Sequence, residues 1–181
     1  MRLVLDACVL FPTVMREVLL GAAEVGYFQP VWSPRLLEEW ARAAARLGPE
    51  GEAVARGEIA LVEARFPTAS VTHADSFENR FWLPDPSDIH VLATAVKASA
   101  DGIVTLNRGD FPKNILADEG LERIEPDGLL YSFWLDDPDG MEKVCAAVLA
   151  RARALSGDEW SMRALLKKAR LPRLAKAVSR T

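Results

Sequence analysis

Four acidic side chains stand where runs of apolar sequence begin or end: Asp6, Glu39, Asp88 and Asp110. Asp6 closes the run Leu3-Val4-Leu5. Asp110 closes Thr105-Leu106-Asn107-Arg108-Gly109-Asp110, just after Ile103-Val104. Asp88 ends Pro84-Asp85-Pro86-Ser87-Asp88, before a strongly apolar helical pattern, and Glu39 lies in the segment that opens Ser33-Pro34. A fold that gathered these carboxylates would form an anionic pocket. Crowded carboxylates repel one another and take up protons unless a cation compensates them. The natural cation for an all-oxygen donor set is Mg²⁺ or Mn²⁺, and such an ion activates water against a phosphodiester.

Each acid also has a purely structural use. Asp6 can serve as a turn residue or helix cap. Asp85 fits an N-cap, with Pro86 at the first helical position and Asp88 at the third, where an acid favours the helix dipole. The two roles are compatible, because a capping geometry still projects Asp88 towards the strand ends. Glu39 lies near the buried edge marked by Leu36 and Trp40, where a glutamate can snorkel, whereas Glu38 points about a hundred degrees away, into solvent. Thr105 and Asn107 can orient a carboxylate or a phosphate, or serve the turn after the strand. His90 reads as a surface or half-buried residue and not a ligand. Phe77, Phe81 and Trp82 read as core or lid, with base stacking as the lesser alternative.

The elements that must position these residues follow from apolar periodicity. Arg2 to Asp6 reads as a buried strand whose unbroken apolar run suits a central parallel position. A helical pattern covers Val14 to Ala23, and a second strand spans Tyr27 to Trp32. Ser33 is an N-cap with Pro34 behind it, and Leu36, Leu37, Trp40 and Ala44 form the apolar face of that helix. Residues 50–65 are helical, and 69–83 are irregular or partly extended. A helix runs from Pro86 to about Ala98, with Ile89, Leu92, Ala93 and Val96 at helical spacing. The strand Ile103-Val104-Thr105, a short helix from Phe111-Pro112 through Leu116 and a strand around Arg123-Ile124-Glu125 come next. From Asp127 the pattern is helical, punctuated at Pro138, Ser156-Gly157 and Pro172. Strands separated by helices predict an α/β sandwich with a mostly parallel sheet, and in such sheets sites form beyond the carboxyl ends of the strands.

Bulk properties narrow the chemistry. The 181 residues are half hydrophobic, enough for one domain or a domain with an extension. No run of eighteen apolar residues predicts a membrane span, and Asp6 comes too early for a signal peptide, so the expected location is cytoplasmic. Two cysteines, Cys8 and Cys145, and two histidines, His73 and His90, make neither a disulfide framework nor a zinc motif. Cys8 is expected to be a small buried hydrophobe. The net charge of −4 is uneven: residues 1–150 carry 13 Lys and Arg against 24 Asp and Glu, while residues 151–181 carry 9 against 2. A basic tail on an acidic body can supply phosphate contacts that the body lacks, or simply pack against it.

Together, Leu3–Leu10, Ser33–Trp40, Asp85–Ala95 and Ala100–Pro112 resemble, in order and spacing, the motifs of the PIN-domain nucleases, over residues 1–126. The resemblance is strongest to the VapC-type toxins of toxin–antitoxin pairs. It implies a three-layer α/β/α fold at 1–126, with 127–181 as a helical C-terminal extension outside the minimal pattern. It also implies a Mg²⁺- or Mn²⁺-dependent ribonuclease. The acids carried over are Asp6, Glu39, Asp88 and Asp110, with Asp6, Asp88 and Asp110 as metal ligands and Asp85, Thr105 and Asn107 in support. RNA is then the substrate, with Arg108, Lys167, Lys168 and Arg170 as cations to meet it. The extension can bind RNA, dock a cognate antitoxin or complete a homodimer through the surface near Trp134 and Trp160. Many members carry Asn, Ser or Thr where this chain has Cys8, and a thiol bonds an acid weakly. That departure keeps a second class open, a non-catalytic PIN-like module that binds RNA or protein. A metal-dependent phosphatase is a third reading. It lacks its Asp-x-Asp signature, since Ala7 and Cys8 follow Asp6.

Overall fold

A computed structural model of the chain describes residues 1–179; the last two positions of the expected extension, Arg180 and Thr181, lie outside them. The short apolar runs become strands of one sheet: β1 (Arg2–Leu5), β2 (Gln29–Val31), β3 (Gly102–Val104) and β4 (Glu122–Ile124), in the order β2-β1-β3-β4. All three pairings are parallel, with Val4 opposite Val31 and Ile103, and Ile103 opposite Arg123. Leu3, Val4, Leu5, Ile103 and Val104 are fully buried, which is why these strands read as unbroken apolar runs and not as alternating ones. At Gly102 a Cβ would stand 2.6 Å from the Glu122 carbonyl oxygen and 2.8 Å from Ile124 Cδ1. Only glycine lets β4 lie this close at that point.

The strand order reverses at β1, with β2 on one side and β3 on the other. A parallel sheet opens a crevice at such a reversal, beyond the carboxyl ends of the strands. Asp6 leaves β1 there and Thr105 leaves β3. The Asp6 N–H donates to the Val104 carbonyl at 3.1 Å, and the Thr105 N–H to the Ile124 carbonyl at 3.0 Å. The ladder therefore continues one residue beyond each strand and fixes both starting points.

Eleven α-helices lie among the described residues: α1 (Ala7–Leu10), α2 (Thr13–Val25), α3 (Pro34–Ala44), α4 (Gly51–Arg65), α5 (Asp75–Glu78), α6 (Ile89–Lys97), α7 (Lys113–Asp118), α8 (Pro126–Asp136), α9 (Pro138–Ser156), α10 (Met162–Lys168) and α11 (Pro172–Val178). Ser33 caps α3 as expected, its hydroxyl accepting the Leu36 N–H at 3.2 Å. Two elements were not legible. Helix α1 is a single turn directly after Asp6, too short to show a period. The stretch 69–83 holds α5 and an isolated parallel bridge from Ser70 to Trp32. One helix start also differs: residues Pro86–Asp88 form a 3-10 turn before α6. Asp85 is held extended by the proline that follows it and its carbonyl accepts the Asp88 N–H at 3.2 Å.

By packing, the chain forms two compact units. One comprises Met1–Phe11 and Gln29–Ile124; the other comprises Pro12–Phe28 and the chain from Glu125 onward. In the first, α6 packs on β1 and β3, α4 packs on α3, and α3 packs on α1. In the second, α2, α8, α9, α10 and α11 build a helical core around Leu19, Leu130, Met141, Leu166 and Leu174, all fully buried. Asp127 seats α11, its carboxylate accepting the Arg173 N–H at 3.0 Å and the Leu174 N–H at 3.1 Å. Tyr27 donates to Asp137 at 2.7 Å, and its ring stacks on Phe133.

Candidate metal centre

All of the expected site residues outside the basic tail fall in the first unit, at the sheet's switch point or on the helices beside it. Asp6 is buried, and its Oδ2 accepts the Thr105 hydroxyl at 2.7 Å and the Cys8 thiol at 3.0 Å. Thr105 in turn accepts the Asn107 N–H at 2.9 Å. Cys8 is therefore not the inert hydrophobe expected of it. Because α1 begins at once, the chain curls and brings the thiol against the exit of β3, where it also accepts the Leu106 N–H at 3.2 Å. Burial, followed by the charge of Asp6, pushes this thiol up to about 12. It is protonated at neutral pH and donates to Asp6, taking the place of a hydroxyl.

Carboxylate oxygens of Asp85, Asp88 and Asp110 lie within 4.8 Å of one another. Asp85 comes from the cap of the 3-10 turn, where it also accepts the Ser87 N–H at 2.9 Å and hydroxyl at 2.8 Å. Asp88 comes from the end of that turn, and Asp110 from the loop after β3. Asn107 ties the last two together: its amide donates to Asp110 Oδ2 and reaches Asp88 Oδ2 at 3.5 Å. Asp85, expected only in support, is thus a member of the gathered trio. Asp6 stands behind it with its Oδ2 already engaged.

The electrostatics record the crowding. Burial, and then the charges of Asp6, Asp85, Asp110 and Glu39, raise Asp88 to about 6 from an ordinary 3.8. Burial is the larger cause, and the four neighbouring carboxylates add to it. Three half-buried carboxylates, oxygen donors only, fit a hard divalent cation, and its charge would remove the repulsion that holds Asp88 up.

Glu39 reaches the same region from α3. It is about a third exposed, and its Oε1 lies 2.8 Å from His90 Nε2 and 3.7 Å from Arg35 Nε. His90 is fully buried, not the surface or half-buried residue expected. It lies on α6, and neither ring nitrogen is aligned for a hydrogen bond despite the short approach to Glu39. Glu38 does face away, into the guanidinium groups of Arg56, at 2.9 Å, and Arg42, at 3.0 Å. Arg56, Arg42 and their charges hold it well below the usual carboxylate range, at about 2.

Two arginines that sequence reasoning passed over serve the site. Arg35 lies half-exposed at its rim, between Glu39, Glu78 at 3.6 Å and the Ser87 carbonyl at 3.5 Å. Arg123 on β4 donates to the carbonyls of Arg108 at 2.9 Å and Phe111 at 3.1 Å, bracing the loop that carries Asp110. The i,i+4 spacing of Arg35 and Glu39 on α3 was a signal that could have found the first; Arg123 meets only carbonyls distant in sequence, which no local pattern marks. Arg108 is exposed on that loop. Lys167, Lys168 and Arg170 are exposed in the second unit, where Lys168 lies 4.7 Å above the Trp160 ring.

A family model described as the PIN domain matches residues 2–109. That span contains β1 to β3, α1 to α6, the whole acidic cluster except Asp110, and the Thr105–Asn107 turn. No curated protein and no solved structure matches the chain.

Proposed function

Because the chain belongs to the PIN-domain family, a family of nucleases, we propose that it is a divalent-metal-dependent endoribonuclease that acts in the cytoplasm as the toxin of a VapC-type toxin–antitoxin pair. The observation that carries the nuclease reading is the convergence of Asp85, Asp88 and Asp110 at the switch point, with Asp6 and Glu39 charging the same pocket. The assignment to RNA and to a toxin rests on the motif resemblance. Consistent with the location, no described helix is long and apolar enough to cross a membrane.

In this reading Asp85, Asp88 and Asp110 would hold Mg²⁺ or Mn²⁺, and a bound ion would supply the acidity that activates a water and the charge that offsets the phosphate. The residues around it prepare that chemistry. Asn107 fixes the orientation of Asp110 and Asp88. Thr105 and Cys8 orient Asp6 beside the pocket by donating to its carboxylate. Glu39, which lies 2.8 Å from His90 and 3.7 Å from Arg35, orients the attacking water and accepts its proton. The non-catalytic alternative rested on Cys8 being a poor partner for a site acid. At 3.0 Å the thiol makes that contact, with Thr105 doubling it, which supports a competent site.

The test is cleavage of a mixed pool of RNA and single-stranded DNA by the purified chain with Mg²⁺, with Mn²⁺ and with chelator. RNA should be cut with either metal and spared in chelator. Cutting that survives chelation, or cutting of DNA alone, would overturn the proposal.

A further inference from the structure

Beside the carboxylates, the same unit presents a large aromatic that its packing does not use. Of the five tryptophans, Trp32 and Trp40 are buried and Trp134 and Trp160 half-buried, whereas Trp82 is 67 % exposed. It does not sit on a loose tip. Phe81 and Leu83 on either side are buried, and the Phe81 N–H donates to the Glu78 carbonyl at 3.0 Å, at the end of α5. With the side chains on either side buried, the indole is the one of the three that turns outward. The Phe81 ring meets Phe77 edge-on at 5.4 Å, and the exposed Arg80 guanidinium lies 5.1 and 5.0 Å from the two ring centres. A cation is thereby held two residues from the exposed ring. Three residues further on is Asp85, so its Cα lies within about 11 Å of that of Trp82.

Leaving an indole in water forgoes the burial of one of the largest apolar surfaces a side chain offers. Its exposed neighbours in sequence, Asn79, Arg80 and Pro84, are not the run of large apolar residues from which a contiguous apolar patch is built. A lone flat ring on a fixed backbone, next to a cation and a phosphate-processing cluster, is the arrangement on which a nucleobase stacks.

We propose that Trp82, flanked by Arg80, is a stacking platform for an unpaired base of the strand whose phosphodiester enters the carboxylate cluster. The proposal rests on the nuclease reading of that cluster and adds to it the residue that meets an unpaired base. A base inside a duplex has both faces covered by its neighbours and cannot stack on a side chain without leaving the helix. Because every base has a π-face, the platform contributes affinity with little sequence preference.

The experiment measures binding of a labelled eight-nucleotide single-stranded RNA in Mg²⁺, with Asp88→Asn in every protein so that the strand stays intact. Adding Trp82→Ala should weaken binding about five- to a hundredfold, and Trp82→Phe should restore most of it. A duplex of the same sequence should bind all three proteins alike. Replacing single nucleotides by abasic sites should find a position whose loss weakens the Trp82 protein but costs the Trp82→Ala protein nothing further. Equal affinity of the Trp82 and Trp82→Ala proteins, equal losses on duplex and single strand, or no single-strand binding at all would each overturn the platform. A shortened strand on a gel would instead show that Asp88→Asn still cuts, and would count against the metal-site reading alone.

Discussion

Asp88 carries the tension of the site. Its carboxyl is raised to about 6 from 3.8, so between those values the folded chain holds a proton that the unfolded chain has released. Stability without metal therefore falls as pH rises through that window and stays lower above it. In chelator above pH 6, Asp88→Asn should melt higher than the unmodified chain, by about 2–4 °C for each kcal/mol of relieved repulsion, and the gap should close towards pH 4. Added Mg²⁺ should raise the melting temperature of the unmodified chain and leave the variant nearly unmoved. A variant that melts lower in chelator would contradict the crowding. At this scale part was legible: charged residues that end apolar runs were expected at sheet ends, and the structure brings Asp85, Asp88 and Asp110 within 4.8 Å of one another. Cys8 and His90 were misread because their surroundings depend on a one-turn helix and on the approach of α3 to α6, neither of which leaves a local pattern.

The elements, and not the residues alone, hold the geometry. The loop from Thr105 to Asp110 is tied at one end by the β3–β4 ladder and spanned by Arg123, which bonds the Arg108 and Phe111 carbonyls. Arg123→Gln should loosen Asp110 without removing any group from the pocket. We expect kcat to fall about tenfold or more, since small misplacements of a catalytic group are costly, with little change in KM. A rise in KM with kcat intact would assign Arg123 to substrate binding instead. Strands and long helices were readable from their apolar periods, and α3 from its Ser-Pro start. Helix α5 and the exposed Trp82 were not, because residues 69–83 take their conformation from anchors distant in sequence, such as the Trp32–Ser70 bridge.

At the scale of the molecule, an anionic pocket must meet a polyanion. Residues 1–150 carry an excess of eleven negative charges and residues 151–181 an excess of seven positive ones. If Lys167, Lys168 and Arg170 contact RNA, replacing all three by Gln should weaken binding and lower the slope of log affinity against log salt by about 2, at about 0.7 per lost phosphate contact on a single strand. An unchanged slope would leave the tail as packing for the second unit. That unit's helices were legible from their periods. That α2 packs with them, a hundred residues before α8, was not, because no local signal records which distant core a helix joins.

The most direct measurement compares the rates at which the purified chain and its Asp88→Asn variant cut one single-stranded RNA in Mg²⁺. The account predicts cutting by the unmodified chain and a loss of at least a hundredfold in a variant that is folded and, in chelator, the more stable of the two. Equal rates would contradict it and remove the carboxylate cluster from the chemistry.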